Sequence, residues 1–132
     1  MNKSVQYSIT QTLSEYLEAI YTLSVNNQRV RTTDVAAKLG ISKPSVNRAV
    51  NSLKNAGYVS HQPYGDIRLT ETGLMYSETA FARHGQIKKF LTDFLDISIE
   101  DAEREASLIE RGLSKNTVEK LINFMEKQQI GA

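Results

Sequence analysis

The segment 32–55 restricts the fold of this chain more than any other part of the sequence. Thr32 and Thr33, at its start, are predicted to cap a short helix. Gly40 predicts the end of that helix, because glycine takes the left-handed C-terminal conformation at little cost. Ser42 predicts the N-cap of a second helix, with Pro44 in its first turn, where a missing N–H is tolerated. The second helix has apolar residues at i, i+3, i+4 and i+7, namely Val46, Ala49, Val50 and Leu53. Two short helices joined by a tight turn that contains glycine are typical of a helix-turn-helix.

The outward face of the second helix is polar and basic. The N-terminal end of such a helix enters the major groove, and here it carries Asn47 and Arg48, with no carboxylate before Asp66. Arg48 is expected to contact guanine, and Asn47 adenine or a phosphate. The surrounding basic residues are expected to bind phosphates, although any single one would also be ordinary on a solvated surface. The predicted DNA-contacting residues are Ser42, Lys43, Pro44, Ser45, Asn47, Arg48, Arg29, Arg31, Lys38 and Arg68.

A short hairpin is predicted directly after the helix-turn-helix. The segments 58–62 and 66–70 have the composition of strands and flank the turn-forming cluster 63–65. Helix, helix, recognition helix and hairpin follow one another in the order of a winged helix, in which the hairpin is the wing. Arg68 and His61 in this hairpin are candidates for phosphate contact, or they are ordinary solvent-facing residues.

A helix is predicted before this motif, from Leu13 to about residue 27, followed by a short strand at 28–31. Glu15 and Glu18 are three residues apart, so both carboxylates lie on one flank of the helix. They form either a solvated acidic face or a pair that a nearby cation would stabilise.

Three further helices are predicted after the wing. The first covers 70–95 with Thr70 as its N-cap, the second covers 99–113, and Ser114 caps the third. His84 lies between the inward-facing apolar residues of the first, as a ligand or as an ordinary core histidine. The second helix carries a polar stripe beside its apolar face. The inward residues predicted for the first helix are Leu74, Phe81, Ile87, Phe90 or Leu91, and Phe94, and the polar stripe is Glu103, Ser107, Glu110 and Ser114.

Charge is distributed unevenly along the 132 residues. Residues 1–64 contain seven Lys and Arg against three Asp and Glu, a net charge of +4, and residues 65–132 contain nine against twelve, a net charge of −3. A basic first half and an acidic second half indicate a nucleic-acid-binding unit joined to a different module. The absence of cysteine excludes disulfides and thiolate metal sites. The sequence thus predicts a mainly α protein with an N-terminal winged helix-turn-helix and a C-terminal helical domain.

Five short motifs resemble the diphtheria-toxin-repressor family of metal-dependent bacterial transcriptional repressors. They are Glu-Tyr-Leu-Glu-Ala-Ile-Tyr at 15–21, Pro-Ser-Val-Asn-Arg at 44–48, Leu-Thr-Glu-Thr-Gly at 69–73, Arg83-His84 and Phe90-Leu91. The resemblance implies a homodimer with a winged-helix DNA-binding domain at 1–70 and a helical metal-binding and dimerisation domain at 71–132. It further implies that a metal bridges the two domains and favours the wing spacing that suits DNA. The length is similar to that of the short manganese-sensing branch, because it leaves no room for a third, SH3-like domain.

The resemblance implies metal ligands only where this sequence offers matching residues. These are three carboxylates and one imidazole, a set that suits manganese or iron(II): Glu15, Glu18, His84 and Glu110. Ser107 stands where the family has an acidic or sulfur ligand, and Arg111 stands where it has histidine. Arg111 would either weaken metal binding, because a guanidinium keeps its charge, or replace the metal by pairing with carboxylates. The resemblance also implies a second metal site, which would use His84 and Glu103. This sequence has Lys88 at a position where that site needs a carboxylate ligand.

The sequence therefore predicts a dimeric, sequence-specific DNA-binding transcriptional repressor that responds to Mn²⁺ or Fe²⁺. Its expected partners are an operator duplex and a second copy of the chain, its expected location is the cytoplasm, and no membrane association is expected. Two alternatives stay open: a metal-independent regulator in which Arg111 replaces the metal, and a winged helix that binds another protein. An enzyme is not expected, because the chain has no glycine-rich phosphate loop and its two histidines lie on different elements.

Overall fold

The computed structural model describes residues 10–26, 29–63 and 65–131, which form six helices and a two-stranded sheet. In chain order the elements are α1 (Gln11–Asn26), α2 (Thr32–Leu39), α3 (Lys43–Asn55), β1 (Val59–His61), β2 (Ile67–Leu69), α4 (Glu71–Asp93), α5 (Ile99–Gly112) and α6 (Lys115–Gly131). This order confirms the predicted fold class. The chain divides into two compact units, Met1–Ser77 and Glu78–Ala132, so that α4 contributes residues to both. Within the described ranges, no helix is long and apolar enough to cross a bilayer.

The core of the N-terminal unit is formed by α1, α2, α3 and the sheet. All four apolar residues predicted for the buried stripe of α3 are buried, which confirms the helical spacing. The buried residues of this core are Tyr16, Leu17, Ala19, Ile20, Val30, Val35, Val46, Ala49, Val50, Leu53, Tyr58, Val59 and Ile67. Burial of this apolar surface holds the three helices together and leaves the polar face of α3 exposed.

The turn between α2 and α3 has the predicted glycine conformation and the predicted serine N-cap. Gly40 has a φ of +66°, and Ser42 caps α3 by accepting a hydrogen bond on its Oγ from the Ser45 N–H at 3.3 Å. The predicted cap of α2 was wrong, because Arg31 is the N-cap and Thr32 is already the first helical residue. Asp34 causes this start by accepting the Arg31 backbone N–H on its Oδ2 at 2.9 Å.

The predicted wing is confirmed as an antiparallel pair in which Val59 faces Leu69 and His61 faces Ile67. The short strand predicted just before α2 was wrong, because residues 29–31 form no strand. That segment nevertheless contacts the sheet, since the Ile67 N–H donates to the Val30 carbonyl oxygen at 2.8 Å.

The junction between the wing and α4 is closely packed. Thr70 donates its hydroxyl to the Gly57 carbonyl oxygen at 2.7 Å and accepts the Gly73 N–H at 3.1 Å, as an N-cap does. The Thr70 N–H donates to the Tyr58 carbonyl oxygen at 3.1 Å. The same oxygen lies directly over Gly73, where a Cβ atom would overlap it.

The core of the C-terminal unit is formed by α4, α5 and α6. Its buried residues are Ile87, Leu91, Ala102, Ala106, Val118, Ile122 and Met125. The inward stripe predicted for α4 was partly wrong: Ile87 and Leu91 are buried, whereas Leu74, Phe81 and Phe94 are exposed. Phe81 precedes Ile87 by six residues, which places it about 120° away around the helix, and Phe94 lies beyond the last residue of α4.

Candidate functional site

The N-terminal end of α3 presents a polar surface to solvent, which we call the recognition surface: residues 42–48. Its members Ser42, Lys43, Pro44, Asn47 and Arg48 are exposed, and Ser45 is half-buried. A local hydrogen-bond chain orders it. Ser42 donates its hydroxyl to Ser45 Oγ at 3.0 Å, and Arg48 Nη2 donates to the same oxygen at 3.2 Å. The guanidinium of Arg48 is therefore held at the N-terminal end of the helix, the part that reaches base edges in a helix-turn-helix.

Asn47 is held by a residue that the sequence analysis did not consider as a contact. The Thr32 hydroxyl, on α2, donates to Asn47 Oδ1 at 3.2 Å. The amide then presents its NH₂ outward as a donor. A bidentate contact to adenine needs both the amide oxygen and the amide nitrogen, and here the oxygen already accepts from Thr32. Asn47 is therefore better placed to donate its NH₂ to a phosphate or to another acceptor. No local pattern in the sequence pointed to this pair, because its members are fifteen residues apart.

Two of the predicted phosphate-binding residues meet at the base of the wing. Arg29 Nε lies 3.3 Å from both carboxylate oxygens of Asp66, and Arg68 Nη2 lies 3.9 Å from Asp66 Oδ2. The Asp66 side chain is only 12% exposed, whereas Arg29 and Arg68 are 64% and 77% exposed. These residues line an open cleft together with Ser60, Gln62 and Gly65. Asp66 thus orients two guanidinium groups that remain accessible to a phosphate.

The remaining predicted contacts lie on the same unit. Arg31 and Lys38 are exposed at the N-cap and in the last turn of α2. Glu15 and Glu18 are both exposed on α1, one turn apart, while the residues between them are buried. The two carboxylates therefore lie on the solvent side of the helix, as their spacing predicts.

His84 is the centre of a cluster in the C-terminal unit. Its ring lies on α4 and is 20% exposed, facing α5. Its Nε2 is 2.8 Å from Glu103 Oε2, while its Nδ1 is 3.4 Å from both Glu110 Oε1 and Ser107 Oγ. Three of the four residues in the predicted polar stripe of α5 thus contact one imidazole. The structure therefore brings together the histidine and the α5 carboxylates that the sequence singled out.

Glu103 also forms an ion pair with a lysine of α4. Lys88 Nζ, one turn after His84 on α4, lies 3.0 Å from Glu103 Oε1. Hydrogen bonds from Lys88 and then from His84 lower the pKa of the Glu103 carboxyl. Both oxygens of this carboxylate are therefore engaged by cationic or N–H groups.

The spacing of two donor atoms in the C-terminal unit, His84 Nδ1 and Glu110 Oε1, is close to the spacing of two ligands of one divalent metal ion. Two donors at right angles, each roughly 2.0–2.2 Å from an ion, are about 3 Å apart, and His84 Nδ1 and Glu110 Oε1 are 3.4 Å apart. The Oε1 atom of Glu103 binds the ammonium group of Lys88. Across residues 10–26, 29–63 and 65–131, no three His, Asp or Glu side chains form a ready-made metal site.

The two residues that depart from the family's ligand pattern, Ser107 and Arg111, lie close to Glu110 in sequence. Ser107 contacts His84 Nδ1 through its hydroxyl, which can donate a hydrogen bond to the ring but is a poor substitute for a carboxylate. Arg111 is exposed in the last turn of α5, directly after Glu110. Its charge lies in the turn where a cation complements the C-terminal end of the helix dipole.

The fold and these residues define a class of protein: a winged-helix DNA-binding unit joined to a helical unit with candidate metal ligands. Comparison with known families agrees with this class. A family model described as "Iron dependent repressor, N-terminal DNA binding domain" matches residues 8–67. A second model, described as "Iron dependent repressor, metal binding and dimerisation domain", matches residues 70–130. The chain belongs to the iron-dependent repressor family, which confirms the diphtheria-toxin-repressor resemblance seen in the sequence.

Relatives and solved structures support the same assignment. An uncharacterized HTH-type transcriptional regulator of Methanocaldococcus jannaschii is 37% identical over 120 residues, covering 90% of this chain and 96% of that protein. The transcriptional regulator MntR of Escherichia coli O157:H7 is 30% identical over 115 residues, covering 87% of this chain and 74% of that protein.

Among solved structures, the manganese regulator SloR has a TM-score of 0.69 at 26% identity, covering 89% of this chain and 55% of SloR. IdeR of T. acidophilum has a TM-score of 0.69 at 22% identity, covering 94% of this chain and 55% of IdeR, and it shows the shared fold alone. The chain thus spans about half the length of both solved proteins.

Proposed function

We propose that this protein is a dimeric, sequence-specific transcriptional repressor whose affinity for operator DNA responds to manganese or iron. The observation that carries this proposal is the combination, in one chain, of two features. The first is an ordered, carboxylate-free recognition surface, and the second is an imidazole and a carboxylate 3.4 Å apart on α4 and α5. Residues 1–70 are proposed as the DNA-binding domain and residues 71–132 as the metal-binding and dimerisation domain.

DNA recognition is assigned to the recognition surface and to the basic residues around it. Arg48, held by Ser45, is proposed to contact guanine in the major groove, and Asn47 to donate to an acceptor. Arg29 and Arg68, oriented by Asp66, are proposed to bind phosphates beside the wing. Phosphate contacts of this kind set the position of the protein on the duplex, whereas the base contacts select the sequence.

Dimerisation is supported by the apolar surface of the C-terminal unit. Large apolar side chains of α4, α5, α6 and the α4–α5 turn are half or more exposed in the single chain: Phe81, Phe94, Leu95, Ile99, Leu108 and Phe124. Apolar surface of this extent is typical of an interface between subunits. A twofold dimer would present two recognition surfaces to two half-sites, as dimeric helix-turn-helix proteins do.

The proposed metal ligands are Glu15 and Glu18 of α1, His84 of α4 and Glu110 of α5. Oxygen donors with one imidazole suit manganese and iron(II), and a bound ion would supply positive charge that offsets the charge of the carboxylates. Of the chain's own groups, His84 orients an imidazole nitrogen toward Glu110. SloR, described as a manganese regulator, and the family, described as iron-dependent repressors, support manganese or iron as the metal for this chain.

Metal dependence is expected in a DNA-binding titration. With a fluorescent duplex selected by this protein from a random pool, anisotropy should report at least tenfold tighter binding with Mn²⁺ or Fe²⁺ than with a chelator. Glu110→Gln should lose most of this difference, because it removes a charged ligand, while Glu100→Gln, an exposed change on the same helix, should keep it. An equal affinity with every metal and with chelator would contradict the metal-sensing half of the proposal.

A second candidate is a metal-independent regulator in which the chain's own cations replace the metal. The observations that favour it are Arg111 and Ser107 at family ligand positions and the ammonium of Lys88 on Glu103. Under this candidate the wild-type protein binds its operator equally with metal and with chelator. Arg111→His would then introduce a metal-dependent gain in affinity, because it supplies an imidazole in place of a permanent charge. If both proteins respond identically to metal, Arg111 does not replace it.

A further inference from the structure

The contacts around His84 assign different roles to the two carboxylates beside it. We infer that Lys88 and Glu103 form a positioning pair that holds His84 with its Nδ1 toward Glu110, and that Glu103 is not a metal ligand. The inference rests on the proposed function, because it names which nitrogen of His84 receives the ion. It replaces a second metal site with an internal ion pair, so that each chain binds one ion.

The first step concerns the proton on the imidazole ring. A carboxylate only accepts hydrogen bonds, so the 2.8 Å contact between Glu103 Oε2 and His84 Nε2 places an N–H on Nε2. In the neutral ring the other nitrogen then carries a lone pair. A metal-binding histidine commonly donates its second nitrogen to a carboxylate in this way, which orients the ring and makes the remaining nitrogen a better ligand.

The second step concerns the groups that face Nδ1. Glu110 Oε1 and Ser107 Oγ are each 3.4 Å from this nitrogen. A carboxylate oxygen and an unprotonated nitrogen both offer lone pairs, so they attract a shared cation and not each other. The Ser107 hydroxyl can donate to Nδ1 when no ion is present. This side of the ring is therefore the side suited to a metal ion.

The third step concerns Lys88. Its ammonium lies 3.0 Å from Glu103 Oε1, and its side chain is 33% exposed, against 58% for Glu103. An ion that bound Glu103 would have to displace this ammonium and would remain close to its charge. Lys88 therefore both restrains Glu103 beside His84 and excludes a second cation.

The first test measures the stoichiometry and affinity of metal binding by isothermal titration calorimetry, in which Mn²⁺ is added to the dialysed full chain. The wild-type protein is expected to bind one ion per chain. Glu103→Ala should keep this stoichiometry and bind about 10- to 100-fold more weakly, as loss of a group that orients a ligand does. Glu103→Gln, which retains an acceptor oxygen for Nε2–H, should recover part of the loss. Lys88→Met should weaken binding less than Glu103→Ala does.

The matched control is Lys89→Met, which removes an equal charge from the neighbouring position, where Lys89 pairs with Asp93 at the surface. It should leave the affinity unchanged. Two ions per wild-type chain, falling to one in Glu103→Ala, would overturn the inference, and so would unchanged affinity in Glu103→Ala. Circular dichroism of each variant separates these results from loss of folding.

A second measurement tests the inference even if the wild-type chain binds no metal, a result that would overturn the metal-binding part of the proposed function alone. Long-range ¹H–¹⁵N spectra of the metal-free, histidine-labelled protein at pH 8 report which ring nitrogen is protonated. His61→Gln assigns the signals, because the chain has only two histidines. His84 should show a slowly exchanging Nε2–H proton that is lost in Glu103→Ala and kept in Lys89→Met. Protonation of Nδ1 in the wild-type protein would overturn the inference.

Discussion

Gly73→Ala is expected to lower the free energy of unfolding of the N-terminal unit by at least about 2 kcal/mol, the size of effect that overpacking a closed site produces. The new methyl group would overlap the Tyr58 carbonyl oxygen. This oxygen cannot easily move, because it accepts the Thr70 N–H at 3.1 Å and Tyr58 is 1% exposed. The separation of the wing from α4 would have to increase, which would break the capping contacts of Thr70.

The control is Gly85→Ala, on the same helix. A Cβ atom at residue 85 meets no heavy atom within 4 Å, so alanine should raise stability by roughly 0.5–1 kcal/mol through its better helix propensity. Urea unfolding followed by circular dichroism measures both changes as shifts of the midpoint. If Gly73→Ala were as stable as Gly85→Ala, the close packing of α4 against the Tyr58 carbonyl would be wrong.

Arg48→Ala is expected to remove most sequence discrimination from DNA binding. A bidentate contact of arginine with guanine contributes about 1–3 kcal/mol of discrimination, or roughly 5- to 150-fold in relative affinity. The measured quantity is the ratio of the dissociation constants for the selected duplex and a scrambled one. This ratio should fall toward one in Arg48→Ala. Ser45→Ala should lower it less, because it removes only the hydroxyl that orients the guanidinium.

The matched control for Arg48 is Lys38→Ala, on the other helix of the motif. A phosphate contact carries no sequence information, so this variant should weaken binding to both duplexes alike and reduce the salt dependence. An unchanged ratio in Arg48→Ala would contradict its role in base recognition. Unchanged affinity for both duplexes in both variants would favour the alternative in which the winged helix binds another protein.

The local structure of the helix-turn-helix could be predicted because caps, turns and helical periodicity act over a few residues. Gly40 adopts the left-handed conformation and Ser42 caps α3, as their residue types indicate. The prediction failed where two local signals competed: Asp34 accepts the Arg31 N–H, so Arg31 and not Thr32 or Thr33 is the N-cap of α2. Family membership was also recognisable, because short motifs preserve residue type and spacing.

The inward stripe of α4 was predicted less well, and the reason is geometric. Several faces of this 23-residue helix carry apolar residues, so spacing alone does not select which face is buried. The fold buries Ile87 and Leu91 against α5 and α6 and leaves Phe81 at the surface. The two alanines of α5 are the residues that allow this packing, because small side chains permit close contact between helices.

The sequence by itself determined the winged helix, the helical second half and the residue types from which a metal site could be made. Only the tertiary structure decided that Lys88 pairs with Glu103, that Nδ1 of His84 faces Glu110, and that Gly73 must be glycine. The difference has a physical reason. Caps and periodicity depend on neighbours along the chain, whereas these three features depend on distances of a few ångströms between atoms far apart in sequence.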